Sequence, residues 1–160
     1  VGYERLAGST FAGPAEVAAG GIGDARGVAA AFALGASGVQ MGTAYLFCPE
    51  ARISPKYRQA LEKADDTATA VTNLFSGRPA RGILNRYIVE AGPISEAALA
   101  FPYAATLVAP LRAASERNDS LDYMQLWAGQ AARLVRAMPA DEFTRRVASE
   151  ALRYLARDSD

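Results

Sequence analysis

Glu16-Val17-Ala18-Ala19 running into Gly20-Gly21-Ile22-Gly23-Asp24, and Gly38-Val39-Gln40-Met41-Gly42-Thr43 one segment later, decide how this chain is read. The first run is short, built of small residues and stopped by glycines, which predicts a strand entering a tight turn. Asp24 stands where a helix N-cap is needed, and the alanine-rich run 25–34 predicts a helix. Val28 and Phe32 share one face of it at i, i+4, with Ala31 and Leu34 nearby. Gly35 is placed to end that helix in a left-handed conformation. Residues 38–41 then predict a short buried strand that leaves through Gly42-Thr43. A connection of one helix between two strands makes them parallel and the crossover right-handed.

Each glycine turn has a chemical reading. Glycines leave backbone N–H groups uncovered, and the helix that follows the first turn carries partial positive charge at its start. The spacing Gly21-x-Gly23-x-x-x-Gly27 is not the dinucleotide fingerprint G-x-G-x-x-G. Taken alone, a tight turn without a ligand explains it equally well. The second turn adds backbone N–H groups and the Thr43 hydroxyl. Two consecutive parallel strands, each leaving on glycine, match the phosphate site that follows strands 7 and 8 of many (β/α)₈ barrels. The pair therefore favours a phosphate over turn geometry alone, and places both turns at the same end of the sheet.

Working outward, residues 1–14 have no period and read as loop. Ser54-Pro55 opens a helix through about Ala64, with proline at the first helical position. Residues 70–75 read as extended, 76–79 as a turn and 80–90 as helix, broken by Gly92-Pro93. A helix is expected over 102–117 with Leu107, Val108 and Leu111 on one face, followed by a loop over 118–120. Two further helices are expected over 125–138 and 139–157, the last with Phe143, Val147, Ala151, Leu152 and Leu155 as its apolar stripe.

Composition narrows the classes. The chain has 160 residues, 51% hydrophobic and 21% charged, with 17 basic and 17 acidic side chains. That is a soluble globular balance, and zero net charge argues against a nucleic-acid binder. There is no histidine and one cysteine, Cys48. Imidazole bases, histidine metal sites, multi-cysteine zinc sites and internal disulfides are excluded from this chain, and no metal site is expected. No apolar run approaches the ~18 residues of a membrane span, and no charged-then-apolar leader follows Val1, so a cytoplasmic location is expected. Without a histidine to activate it, Cys48 is not expected to be a nucleophile. Asp65-Asp66 and the pair Asp119/Asp122 read as caps or solvated charges.

Two further motifs stand out. Phe75-Ser76-Gly77-Arg78-Pro79-Ala80-Arg81-Gly82-Ile83-Leu84-Asn85 reads alone as a basic turn on a solvated face leading into a helix. Leu126-Trp127-Ala128-Gly129-Gln130 reads as a packed helix start, with a substrate lid as the other reading.

Together, the segments 18–27, 33–43, 75–82 and 127–130 resemble the C-terminal half of nitronate monooxygenase, the FMN-dependent family formerly called 2-nitropropane dioxygenase. The resemblance runs from about Val17 to the C-terminus. The first two motifs are shared with related FMN barrels, including a flavin-dependent enoyl-acyl-carrier reductase, whereas the 75–82 and 127–130 motifs are more specific to the nitronate enzymes.

The resemblance implies an α/β fold: the C-terminal portion of a (β/α)₈ TIM barrel, its last two parallel strands over 1–51, followed by a mostly α-helical cap subdomain over 52–160. It implies an FMN cofactor held at the phosphate and ribityl chain by Gly20, Gly21, Gln40, Met41, Gly42 and Thr43. It implies oxidation of an alkyl nitronate by O₂ to a carbonyl compound and nitrite; charge and hydropathy add the expectation of no nucleic-acid or membrane partner. The family's Gly-Gly-His segment, whose histidine assists proton transfer, has no counterpart here, so no catalytic residue is assigned. Glu16 also replaces an expected aliphatic residue. A full barrel needs about 250 residues, and the chain reads as a catalytically incomplete fragment. The alternatives are a non-catalytic remnant, self-associating through an open barrel face as a helical interaction module, and a fragment of the enoyl reductase.

Overall fold

The structure, a computed structural model, describes residues 16–157; the loop expected over 1–14 lies outside the described residues. The chain is α/β and divides into two units, Val1–Glu50 with Leu134–Asp160, and Ala51–Arg133. The C-terminal helix belongs to the first unit.

In the first unit, strands β1 (Val17–Ala19) and β2 (Gly38–Gln40) flank helix α1 (Ala25–Ala33). The strands pair in parallel, Val17 opposite Gly38, Ala18 opposite Val39 and Ala19 opposite Gln40. Local signals set α1 at both ends. The Asp24 carboxylate accepts from the N–H groups of Arg26 and Gly27. At the other end Gly35, at φ +97°, donates to Phe32 O, and Ala36 donates to Ala31 O. These two bonds form the Schellman pattern that glycine permits. A short helix α2 (Thr43–Leu46) follows β2 directly.

The long helix α6 (Ala140–Arg157) returns to pack on α1. Small residues permit the approach: Ala25, Val28 and Ala151 form a buried cluster, with Ile22, Val39, Met41 and Val147 against it. The Glu50 carboxylate accepts from Ala140 N–H at 3.1 and 3.2 Å, capping the start of α6. Tyr45 meets Phe143 edge to face at 5.2 Å and bonds Thr144 Oγ1 at 2.8 Å. The expected apolar stripes are only partly buried. Leu152 on α6 is 67% exposed, and on α1 Phe32 and Leu34 are exposed while Val28 is buried.

In the second unit, helix α3 (Pro55–Lys63) starts as its sequence predicts, with Ser54 accepting from Tyr57 N–H and Pro55 at the first turn. Strands β3 (Thr69–Thr72) and β4 (Ala80–Ile83) pair antiparallel, followed by helices α4 (Arg86–Ala91) and α5 (Tyr103–Arg117). The helix expected over 80–90 is thus a strand followed by a helix. Asn85 divides them: its Oδ1 accepts from Ile88 N–H to cap α4, and its Nδ2 donates to Leu121 O and Met124 O.

The helix expected over 125–138 is also corrected. Gly82 bridges Trp127 antiparallel, Ile83 N–H donates to Leu126 O, and Ala128 N–H donates to Arg81 O, so 126–128 lies along β4 as an extra short strand. Only Gln130–Leu134 is helical, as a 3₁₀ turn. Leu74, Phe75, Ile88 and Val108 form the core of this unit. Leu107 and Leu111, expected to be buried beside Val108, are 62% and 43% exposed.

Candidate flavin-phosphate site

Parallel pairing puts the C-terminal ends of β1 and β2 on one side. With Ala19 opposite Gln40 and neighbouring strands about 4.8 Å apart, the two glycine turns leave the sheet side by side. Gly20 and Gly21 hold φ +93° and +71°, the left-handed region that glycine enters without penalty. A Cβ built on Gly20, Gly21 or Gly42 would meet nothing within 4 Å. All three glycines are exposed. The turns therefore offer bare backbone to open space.

Strand alternation sorts the side chains around these turns. Val17, Ala19 and Gln40 are exposed on one face of the sheet, so the Gln40 amide is presented on the open side. Met41 and Val39 pack into the apolar layer with Val28 and Ala151. Met41 thus offers the turn its backbone, while its side chain supports the strand from behind. An apolar cavity of about 370 Å³ lies on that helix side, lined by Val28, Phe32, Val39, Met41, Val147 and Leu155 among others.

Asp24 closes the first turn. Its Oδ1 accepts from Arg26 N–H at 3.0 Å and Gly27 N–H at 3.2 Å, and its Oδ2 accepts from Arg26 Nε at 2.9 Å and Nη2 at 2.7 Å. Partial burial alone would raise its pKa. The Arg26 side chain, the Gly27 N–H and the arginine's charge outweigh that, and the pKa is lowered from 3.8. Asp24 is legible in the sequence as a cap; the role of Arg26 is not, because an i, i+2 spacing carries no helix-face signal.

The cap has a measurable worth. Asp24→Ala should cost about 1 kcal/mol at neutral pH. Because the folded pKa lies below the unfolded one, the charged contribution is complete above 3.8 and is lost as pH falls through the folded value. Urea unfolding of both proteins should show the gap narrowing below that pH. A gap independent of pH would show that the cap does not act as an anion.

The other two motifs meet in the second unit. Phe75, in the core, packs edge to face on Tyr87 at 5.4 Å and on Trp127 at 5.9 Å. A Cβ on Gly82 would sit 2.9 Å from Leu126 O and 3.2 Å from the Trp127 ring. Tyr57 Oη donates to Trp127 O at 2.6 Å. Burial pushes the Tyr57 phenol up to about 12, against the opposing effect of that hydrogen bond, so it stays a neutral donor at physiological pH. The expected basic turn is present, with Arg78 exposed, but the motif continues into a packed strand on which Arg81 is half-buried and Gly82 and Ile83 are buried. Arg81 Nη1 reaches Thr69 O and Oγ1 at 3.3 and 3.2 Å.

Cys48 is buried. Asp65 accepts from Thr67 N–H, Thr67 Oγ1 and Ala68 N–H, the capping role expected of it. Asp119 pairs with Lys56 at 3.1 Å and Asp66 with Arg133 at 3.9 Å, both on the surface. Among the described residues no three His, Cys, Asp or Glu side chains gather as a metal site, and no helix is long and apolar enough to cross a membrane.

The family model of nitronate monooxygenase matches residues 15–150. A probable nitronate monooxygenase of Bacillus subtilis is 43% identical over 73% of this chain and 34% of its own length. The nitronate monooxygenase of Pseudomonas aeruginosa PAO1 is 42% identical over 84% of this chain and 38% of its own. The crystal structure of nitroalkane oxidase from Streptomyces ansochromogenes superposes with a TM-score of 0.80 at 36% identity, covering 90% of this chain and 41% of that one. The chain thus spans between a third and two fifths of the length of the curated relatives it matches. With sequence, family model and backbone agreeing over most of its residues, the chain belongs to the nitronate monooxygenase family.

Proposed function

We propose that this chain forms the phosphate-holding end of an FMN-dependent nitronate monooxygenase. Strands β1 and β2 are then the last two of its (β/α)₈ barrel, and the second unit belongs to its mostly α-helical cap subdomain. One observation carries this reading: two glycine turns, side by side on parallel strand ends, with open space where any other residue would place a Cβ.

Those turns fit a flavin phosphate. Gly20 and Gly21 would present backbone N–H groups to it, and Gly42 with Thr43 would do so from the neighbouring turn. Exposed Gln40 would hydrogen-bond the ribityl chain, while Met41 anchors β2 to α1 and α6. Bound FMN would supply the redox chemistry that takes electrons from an alkyl nitronate and delivers them to O₂, giving a carbonyl compound and nitrite. The chain's own work is to hold the phosphate, orient the ribityl chain and back the strands with a dry apolar layer. The proton relay is not supplied by this chain, which has no histidine.

Flavin titrations test the reading. FMN should bind at least about tenfold more tightly than riboflavin, which lacks the phosphate, a modest figure for charge-assisted hydrogen bonds. Gly42→Leu fills the open space at a residue whose φ is −108°, so the fold survives. It should lower FMN affinity by roughly tenfold or more with an unchanged circular dichroism spectrum. Equal affinity for FMN and riboflavin would defeat the phosphate reading. NADH-dependent reduction of an enoyl thioester would favour the enoyl reductase instead.

A further inference from the structure

We propose that Arg26 permits a phosphate dianion to settle on the Gly20–Gly21 turn, acting through Asp24 by cancelling that carboxylate's charge. The inference rests on the flavin-phosphate reading and assigns a positioning residue within it. Asp24 follows Gly21 by three residues, so its Cα lies within about 11 Å of the turn by chain reach. That is about one Debye length at moderate salt, where charge repulsion still acts.

Three observations support the role. First, Oδ1 of Asp24 already takes the N–H groups of Arg26 and Gly27. The start of α1 is thus occupied by an anion of the chain's own, and the phosphate must rely on the glycine turns beside it. A bare carboxylate there would repel the ligand. Second, Oδ2 is held by two guanidinium nitrogens, Nε at 2.9 Å and Nη2 at 2.7 Å. Two charged donors converging on one carboxylate oxygen hold the arginine beside its partner and neutralise it. Third, Asp24 and Arg26 are the only charged residues between Val17 and Pro49. Without Arg26 the strand–helix–strand segment would carry a net negative charge next to its proposed anion site.

The experiment compares FMN with riboflavin on the whole 160-residue chain, using flavin fluorescence for the wild type, Arg26→Ala, and the double variant Asp24→Asn with Arg26→Ala. Arg26→Ala should weaken FMN roughly tenfold at low salt and leave riboflavin unmoved. The penalty should shrink as salt is raised, because the repulsion is screened. In the double variant the asparagine amide still caps α1 but carries no charge, and FMN affinity should return to within about twofold of wild type. A double variant as weak as Arg26→Ala would mean that the guanidinium touches the phosphate itself, and would overturn the proposal. So would an FMN preference that Arg26→Ala leaves intact; the flavin-phosphate reading would survive that result. A wild-type chain with no preference for FMN over riboflavin would remove the reading and this proposal together.

Discussion

Supplied with FMN, this chain should oxidise propyl-2-nitronate at under about 1% of the rate of a full-length relative. Two losses set that figure. The chain has no histidine, and removing a positioned proton-transfer group costs about 10²–10⁴ in rate. The second loss is enclosure. The face of the β1–β2 sheet that carries Gln40 is open, with Val17 60% exposed on it. A flavin ring resting there would lack the fixed orientation and dry surroundings that account for much of an enzyme's advantage. The measurement is steady-state oxygen consumption normalised to bound FMN, beside a control of free FMN, since nitronates react slowly with flavin and oxygen unaided. Turnover comparable to a full-length relative would show that two strands, the phosphate turns and the second unit suffice, and that the proton relay is dispensable.

The β1–α1–β2 segment that carries the candidate site is more legible in the sequence than the fold around it, and the reason is sequence distance. Every signal in β1–α1–β2 is local: glycines after each strand, Asp24 before α1 and Gly35 after it, all within a few residues of the feature they control. Such signals act in the unfolded chain as well as the folded one, so they can be read directly. Residues 80–83 carry no local signal of comparable strength. Four residues cannot distinguish strand from helix by periodicity, and what makes them a strand is pairing with Thr69–Thr72 on one side and with 126–128 on the other. The same long-range pairing draws Trp127 out of the helix expected there. Helix α6 is legible as an amphipathic helix, but its partner is not. The small residues that let it lie on α1, Ala25 and Ala151, look from the sequence like ordinary helix formers. Asp24 and Arg26 show the limit within the site itself: the cap is a local signal, whereas the ion pair is visible only once the side chains have geometry.

Gly77→Ala should be the most destabilising methyl addition in the second unit, at about 2–5 kcal/mol. Gly77 holds φ +80°, where any side chain is strained, at about 1–2 kcal/mol. The added Cβ would also drive into the backbone of Leu99 and Phe101 and lie 2.6 Å from Ala100 C. Backbone atoms cannot rotate aside as a side-chain tip can, so overpacking adds about 1–3 kcal/mol. Nor can the opposing segment easily retreat. Asn73 is tied to Ser95 by reciprocal hydrogen bonds of 2.9 and 3.0 Å, and the Arg78 guanidinium lies 4.5 Å from the Phe101 ring centroid. Gly77 N–H itself donates to Asn73 O at 2.8 Å, closing the turn. Urea unfolding should show a lower midpoint with an unchanged slope. Arg78→Ala is the control for the stacking contact alone and should cost no more than about 1 kcal/mol. A Gly77→Ala loss below the Arg78→Ala loss would mean that 99–101 moves away freely. The expected result assigns both glycines of the 75–82 motif to packing, Gly77 beneath 99–101 and Gly82 against Leu126 and Trp127. The 75–82 segment then serves to shape the second unit, and the phosphate role proposed above concerns the glycines of the first unit alone, Gly20, Gly21 and Gly42.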